Sequence, residues 1–239
     1  MPIYRLIDLP VFPRPELADE SGLLAVGGDL SVSRLIEAYR LGIFPWYDED
    51  QPILWWSPDP RLILELDELH ISRSLKKAIR RGGFEIHFDR DFEGVLQGCS
   101  GPRRKEEEEG GTWLIPEMCK AYQKLHALGI AHSVEVWQDG ALVGGLYGVA
   151  MGRAFFGESM FSRVSNGSKV ALVALVAFLK GHGGALLDCQ VTTDHLCSMG
   201  AKEIPRSLFL TRLREALGPG ERLPQGSWEH FSPFDIGDL

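Results

Sequence analysis

Asp188 and Gln190 stand two residues apart inside an apolar run, Ala185-Leu186-Leu187-Asp188-Cys189-Gln190-Val191. Alternate side chains of an extended strand share a face, so this carboxylate and this amide are expected to point the same way, with Cys189 turned to the other side. A buried carboxylate needs a partner, and without one its pKa rises. A second run, Ala154-Phe155-Phe156-Gly157-Glu158-Ser159-Met160-Phe161, makes the same exception with Glu158. Two acids and an amide on neighbouring apolar strands would give an apolar pocket a polar floor, and chemistry is expected there. The competing reading is a core network whose polar groups satisfy one another.

A different chemistry is written into Ser72-Arg73-Ser74-Leu75-Lys76-Lys77-Ala78-Ile79-Arg80-Arg81. Arg73, Lys76, Lys77, Arg80 and Arg81 recur at helical spacing, which gathers five cations on one face while Leu75 and Ile79 pack behind. Such a face suits an anion, RNA phosphate above all, although a merely solvated basic face has the same pattern. Trp46 and Trp113 follow turn-like sequences and could line an opening or pack; Trp55 and Trp56 read as packing between two parts of the chain. Asn166-Gly167-Ser168-Lys169 opens a helix whose free N–H groups could hold an anion or a carbonyl oxygen, or serve as an ordinary cap.

The elements that must position these groups can be read along the chain. Residues 1–64 are dense in turn signals around one short capped helix, Ser31 to Arg40, and read as a small first domain. Residues 65–239 read as a larger one. Helices are expected at Ser72–Arg81, Asp91–Cys99, Pro116–Leu128, Ser168–Lys180 and Arg206–Leu217. Strands are expected at Phe84–Phe88, as a hairpin at Ser133–Trp137 and Ala141–Val149, and in the Glu158 and Asp188 runs. That order implies an α/β (α+β) fold, a mixed sheet with helices on both faces. Arg103 to Gly111 is a charge run that reads as a solvated loop.

Composition narrows the class. The 239 residues are 44% hydrophobic and 24% charged, ordinary for a globular protein with a sizeable core. No apolar run approaches a membrane span, and the start lacks a signal-peptide pattern, so a cytoplasmic protein with no membrane partner is expected. A net charge of −8 disfavours indiscriminate nucleic-acid binding while allowing a local basic face. The four cysteines and seven histidines fall into no metal-ligand spacing, so no metal is expected.

Beyond these readings, the blocks Gly22 to Leu30, Gly42-Ile43-Phe44-Pro45-Trp46 and Leu54 to Arg61 resemble those of leucyl/phenylalanyl-tRNA–protein transferases. So do Leu69 to Ser74, Ala131 to Trp137, Gly157 to Ser162 and Asp188-Cys189-Gln190, so the resemblance runs from about Phe12 to about Phe209. It implies an enzyme that moves leucine or phenylalanine, and to a lesser extent methionine, from aminoacyl-tRNA to proteins with N-terminal Arg or Lys, marking them for degradation. It implies a small N-terminal domain beside an acetyltransferase-like (GNAT) core. Asp188, Gln190 and Glu158 would lie at the reaction centre. Trp46, Trp113, Leu146, Phe155 and Leu175 would build the amino-acid pocket, and the five cations would hold the tRNA acceptor end. Leu146 and Leu175 replace a methionine and a phenylalanine of the family pattern, which keeps the pocket apolar.

An activated ester donor needs no cofactor, metal or ATP. Asp188 is expected to accept a hydrogen bond from the attacking amine, with Gln190 orienting it and Glu158 favouring a cationic acceptor. A monomer is the expectation. Two other readings compete: an acyl-CoA-dependent N-acetyltransferase, against which stands the lack of a pyrophosphate loop before Ser168, and a non-catalytic adaptor for RNA or protein termini.

Overall fold

The computed structural model describes residues 3–101 and 114–236. Trp113 and the 103–111 charge run lie outside them. Among the described residues, seven strands form the main sheet in the order β11 (Lys202–Ile204), β5 (Arg61–Leu64), β10 (Leu186–Gln190), β9 (Ala154–Ser162), β8 (Ala141–Met151), β7 (Ala131–Gln138) and β6 (Glu85–Phe88). Every neighbouring pair is antiparallel except β9 and β10, which run parallel. A parallel pair needs a crossover, here the helix α5 (Gly167–Gly181).

Side chains alternate between two cores. On β8 and β9, Leu146 and Phe155 join α5 on one face. Tyr147 and Phe156 join α3 (Phe92–Ser100) and α4 (Pro116–Ala127) on the other. Helix α5 approaches β8 closely because glycine stands on both sides of the crossing. A Cβ built on Gly144 would lie 2.6 Å from the Gly167 backbone.

The first sixty residues are less loop-like than their prolines suggest. A four-stranded sheet runs β1 (Tyr4–Leu6), β2 (Leu23–Gly27), β4 (Leu54–Trp56) and β3 (Phe44–Pro45), beside helix α1 (Val32–Arg40). Strands of two to five residues are too short to show alternation, so turn signals dominate the sequence there. Strand β5 lies just before the expected boundary after residue 64. Its pairing with β10 and β11 makes it part of the main sheet, although its sequence context assigns it to the first domain. One core also runs through both parts, from Leu24, Leu35 and Trp55 to Phe156 and Phe209.

The five helices expected in the larger part match to within a residue or two, and two of them start on side-chain caps. Ser72 accepts from the Leu75 N–H ahead of α2 (Arg73–Arg80), and Asp91 from the Gly94 N–H ahead of α3. After β10 come the short helix α6 (Asp194–Ser198), then β11 and α7 (Arg206–Ala216).

Candidate active site

The parallel strands pair only between Ala154–Phe156 and Leu186–Asp188. Beyond that point β10 turns toward β5 while β9 continues along β8, and a cleft opens through the sheet. It is a cavity of about 840 Å³. Glu158 and Gln190 lie at the parting. Leu146, Met160, Phe161, Leu172 and Leu175 supply apolar wall, and Phe44, Pro45 and Trp46 close one side from β3.

Gln190 does not continue a regular strand. The pairing of β10 with β5 slips between Asp188 and Gln190, and Gln190 has φ +64°, a left-handed conformation rare outside glycine. The slip separates the environments of two residues that simple alternation would have put together. Asp188 is fully buried behind the cavity wall, where Arg61 donates from Nε to Oδ1 at 2.8 Å and from Nη2 to Oδ2 at 2.6 Å. Asp188 Oδ1 also accepts the Gln190 backbone N–H at 2.9 Å. Cys189 and Leu187, which alternate with Asp188, line the cavity. Burial and the nearby Asp188 charge push the Cys189 thiol up, away from a reactive thiolate.

Glu158 receives the Gln190 side chain, Nε2 to Oε1 at 2.8 Å, and the Tyr122 hydroxyl at Oε2 at 2.6 Å. The Tyr122 hydroxyl in turn lies 2.6 Å from that of Tyr39. Burial raises the Glu158 carboxyl to about 7, and these hydrogen bonds, which favour its ionised form, oppose the rise without cancelling it. The floor of the cavity thus holds a carboxyl poised to gain or lose a proton near neutrality. Burial pushes Tyr39 and Tyr122 well above their ordinary value, helped by the Glu158 charge, so both remain donors.

The other expected positions fall out unevenly. Trp46 borders the cavity and is 42% exposed; its carbonyl accepts the Trp56 indole N–H at 2.6 Å. Leu146 and Leu175 line the cavity wall. Phe155 does not border the cavity; it is fully buried in the α5 core, 6.0 Å from the Trp228 ring, and its neighbour Phe156 takes the opposite face. At the start of α5, Asn166 has φ +72° and no side-chain cap bond. The cap comes from Ser162 Oγ, which accepts the Ser168 N–H at 2.7 Å, and Ser168 borders the cavity. Trp55 is sealed in the core with its indole N–H on the Gly27 carbonyl.

Arg73, Lys76, Lys77, Arg80 and Arg81 line one shallow concavity on α2, with Leu75 buried beneath. Arg61, Tyr39 and Tyr122 are additions that the sequence reading does not place at the centre. Arg61 has a signal, since it is a cation at the start of the apolar strand Arg61-Leu62-Ile63-Leu64, complementary to the carboxylate in the Asp188 run. The tyrosines have none, because a tyrosine on an apolar helix face serves packing equally well.

The model for the leucyl/phenylalanyl-tRNA protein transferase family matches residues 63–214, and that for its N-terminal domain matches residues 28–59. The chain belongs to the leucyl/phenylalanyl-tRNA protein transferase family. Curated members of the family are similar over most of its length. One from Solidesulfovibrio magneticus is 56% identical over 90% of this chain and 87% of its own. One from Syntrophobacter fumaroxidans is 56% identical over 96% of both chains, and one from Azotobacter vinelandii 60% over 83% of this chain and 87% of its own. Among solved structures, L-PGS from Bacillus licheniformis aligns with a TM-score of 0.41 at 15% identity, covering 80% of this chain and 71% of that one.

Proposed function

We propose that this transferase moves leucine or phenylalanine, with some methionine, from aminoacyl-tRNA to the N-terminal Arg or Lys of acceptor proteins, and so marks them for degradation. Membership of the family supports the reaction. The observation that carries the site is the hydrogen-bonded Glu158–Gln190 pair at the floor of an apolar cleft. In this reading residues up to about 60 form a small domain that walls the pocket, and the parting of β9 and β10 belongs to an acetyltransferase-like (GNAT) core.

The donor ester is already activated, so the chemical task is to hold a neutral amine against its carbonyl carbon. An α-amino group has a pKa of about 7.7–8.0, so shedding its proton at neutral pH costs only about 1 kcal/mol. Well-oriented reactants gain roughly 7–11 kcal/mol, which makes positioning the larger effect. Gln190 gives its Nε2 to Glu158, which leaves its carbonyl oxygen to accept a hydrogen bond from the amine. An entering ammonium favours ionised Glu158, and that carboxylate can take the proton that the amine releases. The new N–C bond forms as the ester C–O bond breaks, and the terminal ribose oxygen of the tRNA leaves with a proton.

The side chain of the transferred amino acid would lie among Trp46, Leu146 and Leu175. A methylene in such a pocket is worth about 1–3 kcal/mol, so methionine is expected to pass at a reduced rate. The cations of α2 would hold tRNA phosphates.

Charged leucyl-tRNA incubated with a peptide bearing an N-terminal Arg tests the assignment. The expected product carries leucine on that terminus, and an N-acetylated control peptide should stay unmodified. Failure of the purified chain to label the Arg peptide with either leucyl- or phenylalanyl-tRNA would remove the assignment.

A further inference from the structure

Arg61 is 1% exposed, and the nitrogens of its guanidinium hold two separate parts of the molecule. Nε and Nη2 hold Asp188 on β10 in a two-point fork, and Nη1 donates to the Gly42 carbonyl at 3.2 Å. Its Cζ lies over two aromatic rings, 4.8 Å from the Phe44 centroid and 4.5 Å from that of Phe209 on α7. Gly42 and Phe44 lead directly into Pro45 and Trp46, the wall of the cavity. Asp188 accepts the backbone N–H of Gln190, the residue in the left-handed conformation whose side chain reaches Glu158. One cation therefore touches the supports of both the wall and the floor.

A buried ion pair is a poor device for stability alone, since apolar residues of similar volume often fold as well or better. What a bidentate guanidinium–carboxylate pair supplies is fixed geometry in two directions at once. Gln190 needs such help, because nothing in its own side chain favours a positive φ. Resting on the functional reading above, we infer that Arg61 is a positioning residue for the transfer reaction: it registers the Trp46 wall against β10 and, through Asp188, holds Gln190 in the strained backbone that aims its amide. Asp188 then acts by holding Gln190, because both its oxygens are engaged inside the protein and it does not border the cavity.

Two variants separate positioning from folding. Arg61→Lys keeps the charge but lacks the fork. Arg61→Met combined with Asp188→Leu removes both charges, so neither is left buried and unpaired. Each would be measured for melting temperature, leucyl-tRNA affinity, single-turnover transfer to an Arg peptide, and the leucine-to-methionine preference. If the inference holds, the folded double variant still binds leucyl-tRNA, while its single-turnover rate falls about 100-fold, as expected for a small misplacement of reacting groups. The Lys variant falls less, and both lose selectivity for leucine over methionine. A folded variant of either kind that turns over at the wild-type rate overturns the inference. So does a rate loss that only tracks the unfolded fraction, and if the double variant does not fold, Arg61→Lys decides alone. Absence of transfer by the wild-type chain would instead sink the functional reading on which this rests.

Discussion

Glu158 combines a carboxyl raised to about 7 with hydrogen bonds from Tyr122 and Gln190. Its folded value lies above the ordinary 4.5, so between those two pH values the folded chain binds more protons than the unfolded one. Stability from this group is therefore full below about 4.5 and is lost as pH rises through about 7. The loss is on the order of 3 kcal/mol, from about 1.36 kcal/mol for each pKa unit. Glu158→Gln removes the titrating proton while keeping the shape. Its unfolding free energy is expected to fall less than that of wild type between pH 5 and 8, and its transfer rate to lose the rise centred near pH 7. Denaturant melts at several pH values check the first, and single-turnover rates the second; parallel stability profiles for the two proteins would show that Glu158 ionises normally. This residue was legible in the sequence because a carboxylate in an apolar strand demands an explanation. Its partners Tyr39 and Tyr122 were not, since a tyrosine hydroxyl leaves no trace in hydrophobic periodicity.

At the scale of elements, capped helices were easy to read and short strands were not. A Ser or Asp ahead of an apolar rhythm fixes a helix start locally, as at Ser31, Ser72 and Asp91. The strands before residue 60 are defined by partners far away in sequence, and so is the slip between Asp188 and Gln190 that moves Asp188 behind the wall. Another long-range feature, the approach of α5 to β8, makes its own prediction. Gly144→Ala would put a methyl 2.6 Å from the Gly167 backbone, where no flexible side chain can yield. The helix start must then shift, taking Ser168 away from Ser162 Oγ. Overpacking of this kind destabilises by about 1–3 kcal/mol. Thermal and denaturant unfolding should show that loss together with slower transfer, whereas an unchanged melting temperature would mean that α5 does not seat against β8 as described.

For the molecule as a whole, the question is how a chain with a net charge of −8 takes hold of a polyanion. The balance of charge repels RNA at a distance, so attraction must be local, and α2 concentrates Arg73, Lys76, Lys77, Arg80 and Arg81 on one exposed face. Leu75 anchors that helix from beneath, so its charges can be altered without touching the core. Each phosphate neutralised by a cation releases condensed counterions, and the slope of log affinity against log salt counts those phosphates. Lys77→Ala with Arg81→Ala removes two cations one helical turn apart. Affinity for leucyl-tRNA should drop at low salt, and the slope should flatten by about 1.4–1.8, at roughly 0.7–0.9 for each phosphate no longer neutralised. Transfer at saturating aminoacyl-tRNA should stay close to that of wild type, because neither residue borders the cavity. Filter-binding titrations over a range of salt concentrations give the slope directly. A double variant with weaker binding but an unaltered slope would mean that these two side chains act through the fold and that the RNA lies on another face.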